Sequence, residues 1–386
     1  MLDRKIFIYQ SSPLMHSHAR LMIKNPPKGY KFIVSQNVKK NKLLSFLSKY
    51  PALKLIYRSF LKPIINPLAL IEKTYSSNIP LNMDFVFSES QALDINQPWI
   101  LHVLDSIYAL GGNDYQVFLK NKDKIERRLL SEYCRRIIVV NESTLRDMKK
   151  YFSKEVMKKV VLIRAAVNSQ SINREYNKKN LSILFMGSIA NPDDFYMKGG
   201  LETLEVFKKL SVEFSNLRLI MRCKLPNEIR KKYSNLKNTT FLENQLEYSD
   251  IYKLYKNADI LLNPAHAYPL MTLLESMSFG LPIVMLDTYA VRDYLTNNNA
   301  LIVKPSKDIQ GYHNDSYPTN VRSKEFLSSI KKNDREVIDR LSLAVRKLIL
   351  SPSLREKFGK ESVKLIRKKF SLEKRNLSLK KVFDNS

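Results

Sequence analysis

The strongest constraint in this chain is an alternation of short apolar runs of strand length with amphipathic runs of helix length, and the chain goes through it twice. In the first half, strands are expected at 5–10 (KIFIYQ), 31–35 (KFIVS), 83–90 (MDFVFSES), 98–106 (PWILHVLDS), 137–141 (IIVVN) and 159–167 (KVVLIRAAV). Helices are expected at 123–136 and at 142–152, the latter capped by Asn141 or Ser143. The polar run 168–180 has no apolar periodicity and reads as a linker. The alternation then restarts. Strands are expected at 181–188, 217–223, 239–243, 259–264 and 282–286, with helices between them, including 200–214, 248–258 and 269–279. A basic helical tail runs from 336 to 384. Strands separated by helices form a parallel sheet covered on both faces. The expected fold is α/β: two doubly wound, Rossmann-like parallel-sheet domains facing a central cleft. The expected boundaries are 1–167, a linker at 168–180, 181–350, and a tail at 351–386.

Composition narrows the function classes. The net charge is +28 over 386 residues, and it is unevenly placed. No acid occurs between Asp3 and Glu72, where thirteen Lys and Arg stand. Such a field attracts anionic surfaces or polyanions. Within it, 39–71 interleaves apolar and basic residues and is broken by Pro51, Pro63 and Pro67, a composition suited to a bilayer interface or to packing on the protein core. No apolar run reaches the ~18 residues that a spanning helix needs, and the first residues lack a signal-peptide pattern. Cys134 and Cys223 have no metal-ligand spacing and read as free thiols. A cytoplasmic protein, peripheral on the inner face of the cell membrane, is the expectation.

One residue in "ADILLNPAHAYPLMTLLESMSFGLPIV" (258–284) is out of character. Leu270, Leu273, Leu274 and Met277 recur at helical spacing and make a core face, and Glu275 falls on its flank beside Met271 and Ser278. A carboxylate so placed needs donors, either ligand hydroxyls or an internal Arg or Lys. Pro269 at the first position leaves free amides from Leu270 onward, where phosphate binds. Phosphate at the helix mouth and hydroxyls at an acid further along describe a nucleoside diphosphate.

This stretch resembles the donor-binding segment of family-4 retaining glycosyltransferases, whose pattern is a strand ending in Pro, then a helix reading Leu-Glu-Ala-Met-Ala-x-Gly-Leu-Pro-Val. "NTTFLENQLEYSDIYKLYKNADILLNP", "ILFMGS…DDFYMKGGLETLEVFKKL", "PWILHVLDS" and "ERRLLSEYCRRIIVVNESTLRDMKKYF" are similar to other elements of that family, in its archaeal-like members especially. The likeness runs from 98 to 305 and across "KKFSLEKRNLSLKKVF", and is faint over 11–97. It implies the GT-B fold, with the tail helix crossing back to the first domain.

By this resemblance Glu275 is the second Glu of the family's Glu-x7-Glu motif and binds the donor ribose. The first falls on Ala267, with His266 beside it as a possible substitute near the sugar. Lys198, before Gly199 and Gly200 at a helix start, becomes the phosphate-binding lysine; its charge with free amides suits a diphosphate. Ser188 stands after Gly187 where the family has Arg, and Arg222 is a candidate for the missing charge. Glu243, with Phe241, lies where the base is contacted, and Tyr268, Pro269, Leu270 and Met271 line the phosphate end. In the first half Asp105 is the candidate for sugar hydroxyls or a cationic transition state, and Ser12, His16, His18 and His102 are acceptor-side candidates. Each has a plainer reading as cap, ion pair, loop or core residue.

The activity implied is retaining transfer from a UDP-, GDP- or ADP-sugar to a glycan or lipid-linked acceptor, with no metal or other cofactor required. The anionic membrane contact would be made by 4–71. Two other readings stand beside it. The absence of Glu at 267 and of Arg at 188 suits a catalytically silent GT-B partner that binds a sugar nucleotide or glycan. Charge alone suits a nucleic-acid binder, but no interleaved aromatic–basic platform supports one.

Overall fold

A computed structural model describes residues 3–9, 17–34, 79–80, 82–170, 173–189, 191–267, 270–313, 317–332 and 334–386. The chain divides into two units, Met1–Ala165 with Leu372–Ser386, and Ala166–Ser371.

The first unit is built on β1 (Arg4–Tyr9), β2 (Tyr30–Val34), β3 (Phe85–Glu89), β4 (Trp99–Val103), β5 (Cys134–Val139) and β6 (Val160–Leu162). All six are parallel, in the order β2-β1-β3-β4-β5-β6. β3 and β4 are buried at every position, as strands covered on both faces must be, their polar Ser88, Glu89 and His102 included. Helices α1 (Ser17–Lys24), α2 (Tyr115–Lys120), α3 (Lys122–Leu130), α4 (Glu142–Tyr151) and α5 (Lys154–Met157) join them. Asn141 caps α4, its side chain accepting from Thr144 N at 2.7 Å.

In the second unit β7 (Ser182–Met186), β8 (Arg218–Arg222), β9 (Thr239–Leu242), β10 (Ile260–Leu262), β11 (Ile283–Leu286) and β12 (Ala300–Val303) form a parallel sheet in the order β12-β11-β10-β7-β8-β9. Its helices are α6 (Asp193–Met197), α7 (Gly200–Glu213), α8 (Asn227–Lys232), α9 (Tyr248–Asn257) and α10 (Leu270–Ser278). A two-stranded antiparallel ribbon follows, β13 (Tyr312–His313) with β14 (Tyr317–Pro318), then α11 (Lys324–Ser329), α12 (Arg335–Leu350) and α13 (Pro352–Lys369). In both units the chain leaves its first strand in one direction and later resumes on that strand's other side. The order reverses between β1 and β3, and between β7 and β10, which is where open α/β sheets bind ligands.

Within the polar run 168–180, expected as a linker, residues 173–180 are a strap on the second unit. Arg174 donates to the carbonyls of Phe279 (3.0 Å), Tyr255 (2.8 Å) and Ala258, and Tyr176 Oη donates to Gly280 O at 3.0 Å. Its missing periodicity reflects side chains spent on carbonyls instead of on an apolar core. Of the basic tail, α13 belongs to the second unit, and the last helix, α14 (Leu372–Asp384), belongs to the first. α14 covers the sheet there with Leu379, Val382 and Phe383; the Phe383 ring lies 6.3 Å from Phe87 and 5.1 Å from Tyr30. A fully buried Phe of this kind contributes about 1.5–3 kcal/mol. Among the described residues no helix is long and apolar enough to cross a membrane. The interleaved stretch 39–71 lies outside the described residues.

Candidate functional site

The carboxyl ends of β7, β8 and β10 gather most of the donor-side candidates. After β7 the chain passes Gly187 and Ser188, forms α6, and turns at Lys198-Gly199-Gly200 into α7. Gly199 has φ 79°, and a Cβ there would lie 2.2 Å from the carbonyl oxygen of Pro264, so only glycine fits. That close approach joins the turn to the loop after β10. His266 N donates to Met197 O at 2.9 Å, and Ala267 N to the same oxygen at 3.3 Å. Met197, the neighbour of half-buried Lys198, is thereby joined to the loop carrying half-exposed Ala267; at the start of α10 Leu270 is buried and Met271 half-buried. Tyr268 and Pro269 lie outside the described residues.

Arg222 ends β8, and its Nη1 donates to Gly187 O at 3.1 Å, while Gly187 N donates back to Arg222 O at 2.8 Å. A Cβ on Gly187 would come 2.7 Å from the Cβ of Cys223. Ser188 O accepts from Lys224 N at 2.8 Å. Burial pulls the Arg222 guanidinium below its ordinary pKa, and Tyr255, Cys223 and Glu275 oppose that pull. The Nε of Arg222 is buried without a hydrogen-bond partner among the described residues.

Glu275 is 7% exposed, two turns into α10. No ion pair joins it to a cation among the described residues. Tyr248 Oη donates to its Oε1 at 2.8 Å, and Tyr255 supplies a second hydroxyl. Burial raises its pKa, and Tyr248, Tyr255 and the charge of Arg222 work the other way. The acid is therefore carried by neutral donors, which cost less to desolvate than a paired cation. These tyrosines escaped the sequence reading, yet their signal is visible. "YSDIYKLYK" places Tyr248, Tyr252 and Tyr255 at i, i+4 and i+7, one face of α9.

Two donor-side candidates are committed within the protein. Glu243 accepts from Leu225 N at 3.0 Å and pairs with Arg230; burial raises its carboxyl, and those two partners outweigh it and hold it below the ordinary range. His266, 3% exposed, has Nε2 at 2.7 Å from Glu202 and Nδ1 at 3.2 Å from the Tyr312 hydroxyl. Both ring nitrogens are spent, so its geometry is that of a brace for the loop after β10 and offers nothing toward a sugar. No group of three or more His, Cys, Asp or Glu among the described residues is placed to hold a metal ion.

In the first unit, Asp105 lies two residues beyond β4, half-buried, with its carbonyl accepting from Thr144 Oγ1 at 2.5 Å and Asn141 Nδ2 at 3.3 Å. His102 is 2% exposed, and burial together with the charge of Arg375 takes its pKa down to about 3, so the ring is neutral. The His18 ring stacks on it with centroids 5.0 Å apart. Ser12 and His16 lie outside the described residues.

Residues 170–315 match the family model described as glycosyl transferases group 1. They include every donor-side candidate above. The fold is of the GT-B type. WaaG, a glycosyltransferase involved in lipopolysaccharide biosynthesis, superposes with a TM-score of 0.60 at 14% identity, over 98% of this chain and 99% of that one. HepE of Anabaena, solved with UDP and glucose, gives a TM-score of 0.58 at 10% identity, over 99% of each chain. A mutant of TarM from S. aureus, solved with UDP, gives 0.55 at 11% identity, over 78% of this chain and 55% of that one. The chain thus spans little more than half the length of TarM. At these identities the likeness is one of fold. No curated protein matches the chain by sequence.

Proposed function

We propose that this chain is a retaining glycosyltransferase of the family-4, archaeal-like kind, moving a sugar from a UDP-, GDP- or ADP-linked donor to a glycan or lipid-linked acceptor without a metal ion. One arrangement carries the reading. A buried carboxylate that takes its hydrogen bonds, among the described residues, from tyrosine hydroxyls stands at the strand-order reversal of the second sheet, in the unit that also carries the Lys198–Gly199–Gly200 turn at a helix start. Glu275 takes the ribose hydroxyls. Lys198 and the helix amides stabilise charge on the departing diphosphate. The acceptor hydroxyl attacks from the leaving-group side, and its proton passes to a diphosphate oxygen. Asp105 is assigned to the sugar. The crystallised relatives with UDP favour a uridine donor.

The acceptor is placed at a cytoplasmic membrane face. Each basic residue near an anionic surface contributes about 1 kcal/mol, so the thirteen of 4–71 are ample for reversible docking. The test is a thermal-shift panel of UDP-, GDP- and ADP-sugars, followed by transfer assays with the binder in the presence of EDTA. No shift with any sugar nucleotide defeats the proposal. A second reading, a sugar-nucleotide-binding partner without transfer, is favoured by Ala267 and by the internal engagement of His266. Binding without hydrolysis or transfer would select it.

A further inference from the structure

The first unit contains a group of buried polar atoms that have no hydrogen-bond partner among the described residues. β3 ends at Glu89 and the chain turns at once. Ser90 sits at φ 54°, a region that a non-glycine residue adopts only under constraint, and Gln91 follows. The constraint is visible: Ser90 N donates to His102 O at 2.8 Å, and Ser88 Oγ to Gln91 O at 2.6 Å. Glu89 and Gln91 are each 7% exposed, yet Glu89 Oε1 and Gln91 Oε1 have no hydrogen-bond partner. His102, opposite Glu89 in the β3–β4 register, has a buried Nδ1 in the same condition. Arg375 on α14, whose charge acts on His102, has a buried Nη1 likewise without one.

Folded proteins satisfy nearly all such atoms, and each orphan costs about 1–3 kcal/mol. Three of these four sit at or beside the carboxyl ends of β3 and β4, and β3 flanks the point where the strand order reverses. Their chemistry selects a ligand. Two of them are acceptor oxygens on the same turn. Burial takes the Glu89 carboxyl up to about 7, so it both accepts and donates near neutrality. A phosphate would set lone pairs against the Gln91 oxygen, and negative charge against Glu89 whenever it is ionised. An ammonium ion would face Arg375 with like charge. A neutral ring bearing several hydroxyls donates to the oxygens and accepts from the guanidinium.

We propose that the turn after β3 seats the acceptor, with Glu89 and Gln91 accepting hydrogen bonds from the hydroxyls of a neutral sugar ring and His102 and Arg375 closing the same seat. The identity of that ring as the acceptor rests on the glycosyltransferase reading. The test is saturation-transfer NMR on the full chain with methyl α-glucoside, α-galactoside, α-mannoside and N-acetylglucosaminide, for the wild type and for Glu89→Gln, Gln91→Leu and Glu275→Gln. At least one glycoside should give a signal with the wild type and with Glu275→Gln. Glu89→Gln and Gln91→Leu should each weaken that binding by about ten- to a hundred-fold while melting no lower than the wild type, Gln91→Leu higher because it removes a buried unpaired oxygen. No signal with the wild type, equal signals in the two first-unit variants, or a signal lost in Glu275→Gln overturns the proposal. A missing thermal shift with sugar nucleotides, beside an intact glycoside signal, overturns the donor reading instead, so the two failures are distinguishable.

Discussion

Replacing Glu275 by Gln separates binding from stability. The wild-type carboxylate is buried, its pKa is raised by desolvation, and its hydrogen bonds come from Tyr248 and Tyr255. Gln keeps the volume and one accepting oxygen for Tyr248 but removes the charge. A hydrogen bond to a charged group contributes about 1.5–3 kcal/mol, so losing the ribose contact weakens donor binding by roughly 10- to 150-fold. Ligand at 100 times its Kd stabilises the folded chain by about 2.7 kcal/mol. At the same concentration the variant should gain only about 0.3–1.4 kcal/mol. Stability without ligand should not fall. A folded-state pKa above the unfolded value of about 4.3 means that Glu275 contributes most stability below that value and that this contribution is lost as pH rises through the folded pKa. Removing the charge therefore removes a penalty present at neutral pH. Urea melts with and without UDP at pH 5 and pH 8 measure both effects. The wild type should lose more stability between the two pH values than the variant does. A variant that keeps the full UDP-induced gain refutes the ribose assignment.

Gly199→Ala drives a methyl against the Pro264 carbonyl at a positive φ and should cost about 1–3 kcal/mol in urea melts, with donor binding lost as the Lys198 turn shifts. Lys198→Ala should lower the transfer rate by about 10- to 100-fold, the loss shrinking at high salt as screening weakens the wild type. His266→Phe leaves Glu202, 6% exposed, without its partner and should destabilise by about 1–3 kcal/mol; a double-mutant cycle with Glu202→Gln should recover a coupling of at least about 0.5 kcal/mol. Phe383→Ala should cost about 3–5 kcal/mol, because it empties the contact of α14 with Phe87 and Tyr30.

The local pattern located β1 to β11 and the longer helices, because continuous apolar runs and 3.6-residue periodicity are properties of neighbours in the chain; it missed β12 and the short helices α1, α2, α5 and α6, and ran the 123–136 helix into β5. β6 shows where that reasoning weakens: 159–167 reads as one strand, yet the strand spans only Val160–Leu162, because its partner β5 ends at Val139, opposite Leu162. The Lys-Gly-Gly turn and the lone acid of α10 were legible for the same local reason: a helix start and a misplaced charge announce themselves within a few residues. What holds that acid was not. Tyrosines 27 and 20 residues upstream, and not an arginine, supply its donors. His266 read as a sugar contact from its neighbourhood in sequence, and Glu202, 64 residues away, turned it inward.

By itself the sequence settled the α/β alternation, its double occurrence and the residues that break pattern, since these depend on spacing along one chain. The partners of each polar side chain were decided only by the tertiary structure. A buried carboxylate, imidazole or guanidinium takes its state from whichever donors and acceptors folding brings within about 3 Å, and those come from strands and helices that no local pattern relates.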